Sequence, residues 1–374
     1  MTTTVNNEHK NIKVPNLRFK EFQGEWKEER LADIAKFYKG TGISKDQLSD
    51  EGEPCILYGE LYTKYKSETI GKVISKTNID NTKLVKSKTN DVIIPCSGET
   101  AEDIATARCV LNDNILLGGD LNIIRLHGYD GTFMSYQLNG KRKYDIARVA
   151  QGVSVVHLYG EHLKGVKTIN PCLEEQKKIA NLLSLLDERI ATQNKIIDKL
   201  QSLIKGIADK LFQTARTTKP LLEFAPNITS GTDKSGSGTI PLYGSTGIIG
   251  TVKNASQKGN IVLVARVGTI GTVQYVNEPC GVSDNALIVE AGEMTKYIYH
   301  FLKTYNFTRI TSGTTQPLIT ASSLKKAAIP TYDIESQTRI VLCLNGLEKK
   351  LDMAKQYLSD IAVMKQYLLR QMFI

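Results

Sequence analysis

Residues 171–212 read PCLEEQKKIANLLSLLDERIATQNKIIDKLQSLIKGIADKLF, and residues 332–373 read YDIESQTRIVLCLNGLEKKLDMAKQYLSDIAVMKQYLLRQMF. In the first stretch apolar side chains return at alternating steps of four and three: Ile179, Leu183, Leu186, Ile190, Ile197, Leu200, Ile204, Ile207 and Leu211, with Gln193 the one polar member. Adding 161 to each number gives Ile340, Leu344, Leu347, Leu351, Ala354, Leu358, Ile361, Lys365, Leu368 and Met372 in the second. This period marks the a/d seam of a coiled coil, since a slightly underwound helix keeps those positions on one side. Lys365 interrupts the second seam, and Met364 beside it is expected to take its place. Each stretch starts like a helix: Pro171 then Glu174-Glu175-Gln176, and Pro330 then Asp333, Glu335 and Gln337, acidic groups that suit the positive end of the helix dipole. No proline follows within either stretch. At 1.5 Å per residue, positions 174–211 would span roughly 57 Å.

Two such helices can bury each other's stripe. Antiparallel pairing is predicted, because residues 213–339 must fold as a domain between them and like-with-like ends would crowd the two domains together. The repeat extends upstream without a gap, so that residues 152–212 match 313–373: Gly152 meets Gly313, Leu163-Lys164 meets Leu324-Lys325, and Phe212 meets Phe373. The globular parts correspond more loosely. Leu57-Tyr58-Gly59-Glu60 resembles Leu242-Tyr243-Gly244-Ser245, Asn90–Pro95 resembles Gly259–Val264, and Asp120–Arg125 resembles Asp284–Val289. These parts consist of short β-branched runs such as Ile261–Ala265 and Thr272–Val276 between Gly, Asn and Ser turns, with short helices expected near 296–304 and 133–138. The fold class is therefore α+β: two tandem β-rich globular domains, each followed by a long helix, the helices pairing as an antiparallel coiled coil. The expected divisions are 1–170 (first domain with an N-terminal lead-in), 171–213 (central helix), 214–330 (second domain) and 331–374 (C-terminal helix).

Composition narrows the function. Among 374 residues, 41% apolar and 23% charged is ordinary for a soluble globular chain, and no run approaches the roughly 18–20 apolar residues of a membrane span. The polar start, Met1 to Lys10, lacks the apolar core of a secretory leader, so a cytoplasmic protein with no membrane partner is expected. Cys55, Cys96, Cys109, Cys172, Cys280 and Cys343 include no C-x-x-C pair and read as buried reduced thiols. The five histidines show no metal-ligand spacing, so no metal site is expected. A net charge of +9 invites nucleic acid. Yet residues 1–150 hold 22 basic and 21 acidic side chains, and residues 213–339 hold 12 and 8.

Catalytic motifs are missing. Gly231–Gly236 has the first spacing of a phosphate-binding loop, but Ser237-Gly238 stands where Lys-Ser/Thr is needed. There is no Asn/Asp-Pro-Pro-aromatic motif of an adenine methyltransferase and no G-x-S-x-G elbow. The chain reads as a binder without catalytic residues.

The segment Gly313-Thr-Thr-Gln-Pro-Leu-Ile319 with Leu324 and Pro330, the run Pro171-Cys-Leu-Glu-Glu-Gln-Lys-Lys-Ile-Ala180, and the lead-in Pro15-Asn-Leu-Arg-Phe-Lys-Glu-Phe22 with Trp26-Lys27 together resemble the specificity subunit of type I restriction–modification enzymes. The resemblance covers nearly the whole chain. It implies that each domain is a target-recognition domain reading one half of an interrupted sequence in double-stranded DNA, and that the paired helices set the spacer. It also implies two methyltransferase subunits and two restriction–translocation subunits as partners. S-adenosylmethionine, ATP and magnesium would be bound by those partners, and no cofactor by this chain. The rival reading is a coiled-coil interaction scaffold without sequence-specific DNA binding.

Base readout needs donors and acceptors on loops that reach the major groove. The candidates are Tyr58 and Glu60; Ser97, Glu99 and Thr100; Ser154; Tyr243, Ser245 and Thr246; Arg266 and Thr269; and Thr315 and Gln316. Arg266 could pair bidentately with guanine and Gln316 with adenine. Lys83, Lys86, Lys88, Lys141, Arg142 and Lys143 are candidates for phosphate contacts, which add salt-dependent affinity without sequence information.

Overall fold

The computed structural model describes residues 13–80, 82–152, 155–313 and 317–374. The two heptad stretches form helices Leu173–Gln213 and Ile334–Gln371, the central and C-terminal helices. By its contacts the chain divides into two units, Met1–Thr192 with Leu358–Ile374, and Gln193–Tyr357. Each unit thus holds one β-rich domain and portions of both long helices.

In the first unit the start of the central helix lies against the end of the C-terminal helix. Ile179, Ala180 and Leu183 pack with Met372 and Phe373 in one core that also takes in Trp26, Phe133 and Tyr136. In the second unit Ala208 and Phe212, from the end of the central helix, pack with Ile340 and Leu344, from the start of the C-terminal one. The helix segments therefore run antiparallel in both units. Every residue of the two apolar seams is buried or half-buried, as the 3.5-residue period requires. Gln193 is buried too, its Nε2 donating to the Ala354 carbonyl at 2.9 Å. The expectation for the second seam fails at one place. Lys365 itself occupies the seam at 9% exposure while Met364 points outward at 51%, because the lysine finds buried carboxylates there, as described below.

The domain of the first unit is built on a five-stranded sheet in the order Ala35–Lys39, Leu121–Leu126, Asp91–Pro95, Arg108–Val110, Thr69–Ile70. Asp91–Pro95 is wholly buried, its apolar stretch Val92–Pro95 that of a strand covered on both faces and Asp91 paired with Arg125. A four-stranded sheet in which Glu53–Ile56 runs parallel to Leu116–Leu117 lies beside it in the chain's topology. The second domain repeats the plan with fewer residues: Thr229–Ser230, Ala286–Val289, Ile261–Ala265 and Val273–Val276 form the main sheet, and Ile240–Tyr243 runs parallel to Gly281–Val282 in a smaller one. The expected short helices are Gly131–Asn139 and Thr295–Leu302.

The repeat spacing of 161 survives in detail. Lys167–Asn170 pairs antiparallel with Lys27–Arg30, and Ala328–Thr331 pairs in the same way with Thr217–Pro220, closing the two ends of each domain just before its long helix. Short helices Gly160–Lys164 and Ala321–Lys325, and the bridges Gln151 to His157 and Ser312 to Leu318, keep the same offset. Cysteine placement departs from expectation at two positions. Cys55, Cys96, Cys109 and Cys280 are buried, but Cys172, just ahead of the central helix, and Cys343, on the C-terminal helix, are exposed.

Candidate nucleic-acid interface

In the first unit three loops distant in sequence come together. Tyr62, in the short helix Glu60–Thr63, donates its hydroxyl to the Ser97 carbonyl at 3.2 Å. Ser97–Gly98 pairs antiparallel with Val156–His157, and the Leu158 amide donates to the Cys96 carbonyl at 2.8 Å. A cleft of about 610 Å³ opens between them, lined by Tyr58, Tyr62, Ser97, Glu99, Asp103 and Val155 among others. A Cβ at 98 would stand 3.0 Å from the Tyr62 hydroxyl and 3.3 Å from the Ile104 Cβ, a tight approach that glycine avoids.

Of the predicted readers in this unit, Tyr58 and Glu99 are exposed and Ser97 is half-buried, all at the cleft. Thr100 caps the helix Ala101–Ile104, accepting from the Asp103 amide at 3.0 Å. Glu60 does not face outward. It is 6% exposed, and its carboxylate accepts from the Leu57 amide at 3.0 Å, from Lys64 Nζ at 2.7 Å and from the Ser75 hydroxyl. Three donors and near-complete burial hold this carboxylate inside the domain and away from a base edge, which corrects the expectation. Ser154 lies outside the described residues.

The same convergence recurs in the second unit. The Ser245 hydroxyl donates to the Val267 carbonyl at 3.1 Å, joining the Tyr243–Thr246 turn to the Arg266–Thr269 turn. Gln274 Nε2 donates to the carbonyls of Gly244 and Ser245 at 3.0 and 3.2 Å. Arg266 is anchored by its main chain, its amide donating to the Asn285 carbonyl and its carbonyl accepting from the Ile319 amide, so Ile319, bonded in this way, joins the group. The Arg266 side chain is different: its Nε is buried and has no hydrogen-bond partner among the described residues. Thr246 and Thr269 are exposed. Tyr243 gives its hydroxyl to Glu278 at 2.7 Å, and burial together with that carboxylate pushes its phenol up to about 12. Thr315 and Gln316 lie outside the described residues.

The predicted phosphate contacts divide. Lys83, Lys86 and Lys88 are exposed but precede Asp91, at the far end of the strand Asp91–Pro95 from Ser97, roughly 16 Å of extended chain away. Lys141 and Lys143 line another cleft, of about 470 Å³, with Glu68, Tyr136 and Arg370. Arg142 is committed elsewhere, donating to the Ile374 carbonyl at 3.2 Å and facing Asp145 at 3.4 Å. That removes it from the set. Sequence reasoning missed Lys66, which donates to the Tyr62 carbonyl at 2.7 Å beside the first cleft. It also missed Gln274 and the exposed Ile248 and Ile249, which follow the Tyr243–Thr246 turn. Lys66 belongs to no basic cluster, and Gln274 sits inside a strand, so neither carried a local signal.

The long helices leave apolar side chains uncovered. Ile196 and Tyr357 are exposed at positions related by 161, and so are Leu203 and Met364. Among the described residues no helix is long and apolar enough to cross a membrane.

A duplicated α+β chain with paired helices and a convergent loop group in each half matches a known class. Residues 23–202 and 218–362 fit the description "Type I restriction modification DNA specificity domain", and the chain belongs to that family. It is 28% identical over 200 residues to the MjaVIII type I restriction enzyme specificity subunit of Methanocaldococcus jannaschii; the match covers 52% of this chain and 44% of that one, so the chain spans under half the length of this curated relative. Its fold is similar to the type I restriction–modification S subunit from M. genitalium, with TM-score 0.70, 20% identity, and 96% and 99% of the two chains covered. It is also similar, at TM-score 0.55 and 15% identity over 92% and 96% of the chains, to a structure described under complex assembly and conformational transition of the type I R-M system.

Proposed function

We propose that this chain is the DNA-specificity subunit of a type I restriction–modification complex, working in the cytoplasm, each β-rich domain reading one half of an interrupted target. The observation that supports it best is the recurrence, in both units, of three loops drawn to one place around polar side chains. A scaffold that bound only protein would not need the same loop group twice, nor the Arg266 Nε left without an acceptor among the described residues. In this reading Arg266, Ser245, Thr246, Thr269, Thr315 and Gln316 face one half-site, and Tyr58, Ser97, Glu99 and Ser154 the other. Lys66, with Lys83, Lys86 and Lys88 further off, supplies phosphate contacts.

The chain is non-catalytic. The exposed pairs Ile196 with Tyr357 and Leu203 with Met364 recur at the repeat spacing, so two copies of one partner can find equivalent footing. That partner is the methyltransferase subunit, which binds S-adenosylmethionine. Two restriction–translocation subunits complete the complex and bring the need for ATP and magnesium. The helix pair sets the spacer, since DNA repeats its groove face about every 10–10.5 base pairs.

The test is methylome sequencing of cells expressing this chain with its cognate methyltransferase subunit. A bipartite motif present only with both proteins is expected, and its absence from a soluble complex would sink the reading. Arg266→Ala should relax one base of one half-site, at a cost of about 1–3 kcal/mol in binding. Equal weakening on every DNA would remove Arg266 from base reading.

A further inference from the structure

Lys365 is a cation in an apolar seam, and its surroundings are specific. Its Nζ stands 2.6 Å from Asp187 Oδ1 on the central helix and 2.8 Å from Glu68 Oε2, which belongs to the first β-rich domain. Tyr136, 1% exposed, donates its hydroxyl to the other Asp187 oxygen at 2.5 Å, and the ammonium lies 5.4 Å from the centre of that ring. The three charged side chains are only 11–14% exposed. Burial would depress the lysine's ionisation, but Glu68 and Asp187 more than reverse it and raise its pKa. Arg108, nearby and also buried, adds a second positive charge to the neighbourhood.

A buried charge network gives little net stability over apolar packing, but it demands one geometry. Sliding or tilting the domain would pull Glu68 away from its cation at a place where it is only 14% exposed, so that water would replace the lysine only in part. Apolar contacts elsewhere in the unit tolerate small shifts far better, because they have no direction.

We propose that Glu68 and Lys365 are positioning residues: their ion pair fixes the angle at which the first recognition domain stands on the helix pair, and with it the spacing at which that half-site is read. This rests on the DNA-specificity reading above.

The experiment is methylome sequencing with Glu68→Gln, which leaves the Lys365–Asp187 pair intact and so preserves the fold. Wild type should methylate a single spacer length. Glu68→Gln should methylate the same half-sites at two adjacent spacer lengths, the new one at one-tenth or more of the old. Lys365→Arg, which keeps a cation between the carboxylates, should restore or retain the single length. A folded Glu68→Gln complex confined to the wild-type spacer overturns the proposal. Loss of fold is checked by circular dichroism; if Glu68→Gln unfolds, Glu68→Asp, which keeps the charge but withdraws it by one methylene, decides in its place: a second or shifted spacer length supports the proposal, and the wild-type spacer alone overturns it. Failure of wild type to show any bipartite motif would instead defeat the DNA-specificity reading.

Discussion

The two units solve one problem with opposite materials. In the first, the acid at position 187 of the central helix meets Tyr136 from its own domain and Lys365 from the partner helix, all nearly dry. In the second, the acid at the equivalent position, Glu348, meets Lys303 at 2.5 Å, Tyr299 at 3.4 Å and His300 at 3.9 Å, all three from the domain. Where the first unit has Lys365, the second has the apolar Ile204. The lysine has moved from helix to domain, and it has moved outward: Lys303 is 41% exposed against 11% for Lys365. A duplicated scaffold thus kept the acid and its aromatic neighbour while the source of the cation changed. His300 is buried, held by Asn345 at 2.9 Å, and burial lowers its pKa from the ordinary imidazole value.

The sharpest way to break this comparison is to remove the two lysines. Lys365→Met leaves Asp187 and Glu68 buried without their nearest cation and should cost about 3–5 kcal/mol in chemical denaturation. Lys303→Met removes a half-exposed, screened pair and should cost about 0–1 kcal/mol. Equal losses would show that exposure does not separate the two sites.

A smaller difference is expected at the aromatics. Tyr136→Phe deletes a short hydrogen bond to a carboxylate and should cost about 1.5–3 kcal/mol. Tyr299→Phe deletes two long ones, to Glu348 at 3.4 Å and from Lys303 at 3.3 Å, and should stay within about 0.5 kcal/mol, both measured by the same unfolding assay.

The smallest effect is at the strand pairs that close each domain. Glu28 bonds Lys13 and Lys167, each at 2.8 Å, and these two lysines bring its carboxyl down from 4.5 to about 2. A depressed folded pKa gives stability that is present above about 4.5 and lost as pH falls towards 2. The protection of the Lys27–Arg30 amides against hydrogen exchange, taken relative to the intrinsic rate at each pH, should therefore fall over that interval, and Glu28→Gln should remove this pH dependence. The second unit's strand pair carries the hydroxyl contact of Thr217 with Thr331 instead, and its exchange should show no such acid step.

How much of this could be read beforehand depended on the range of the interaction. The seam and the burial of Gln193 follow from a period visible within one helix, and the antiparallel sense from the domain-sized length of chain between the two helices. Lys365 did not, because a hydrophobic pattern registers polarity and not partners, and Glu68 lies 297 positions away in sequence. Glu60 looked like a turn residue available to solvent, yet Ser75 and Lys64 bury it. Arg142 looked like part of a basic face, yet it holds the Ile374 carbonyl. The loop groups were half legible: the duplication pointed to matching turns, but only the hydrogen bonds from Ser245 and Tyr62 bring the distant loops into one place.

The strand pair ahead of each long helix has a consequence of another kind. Lys27–Arg30 with Lys167–Asn170, and Thr217–Pro220 with Ala328–Thr331, bring the entry and exit of each domain side by side. A segment whose ends meet can be lengthened, shortened or exchanged without displacing what lies outside it. The domains are then cassettes set into a constant frame, and one can be exchanged while the frame stays unaltered.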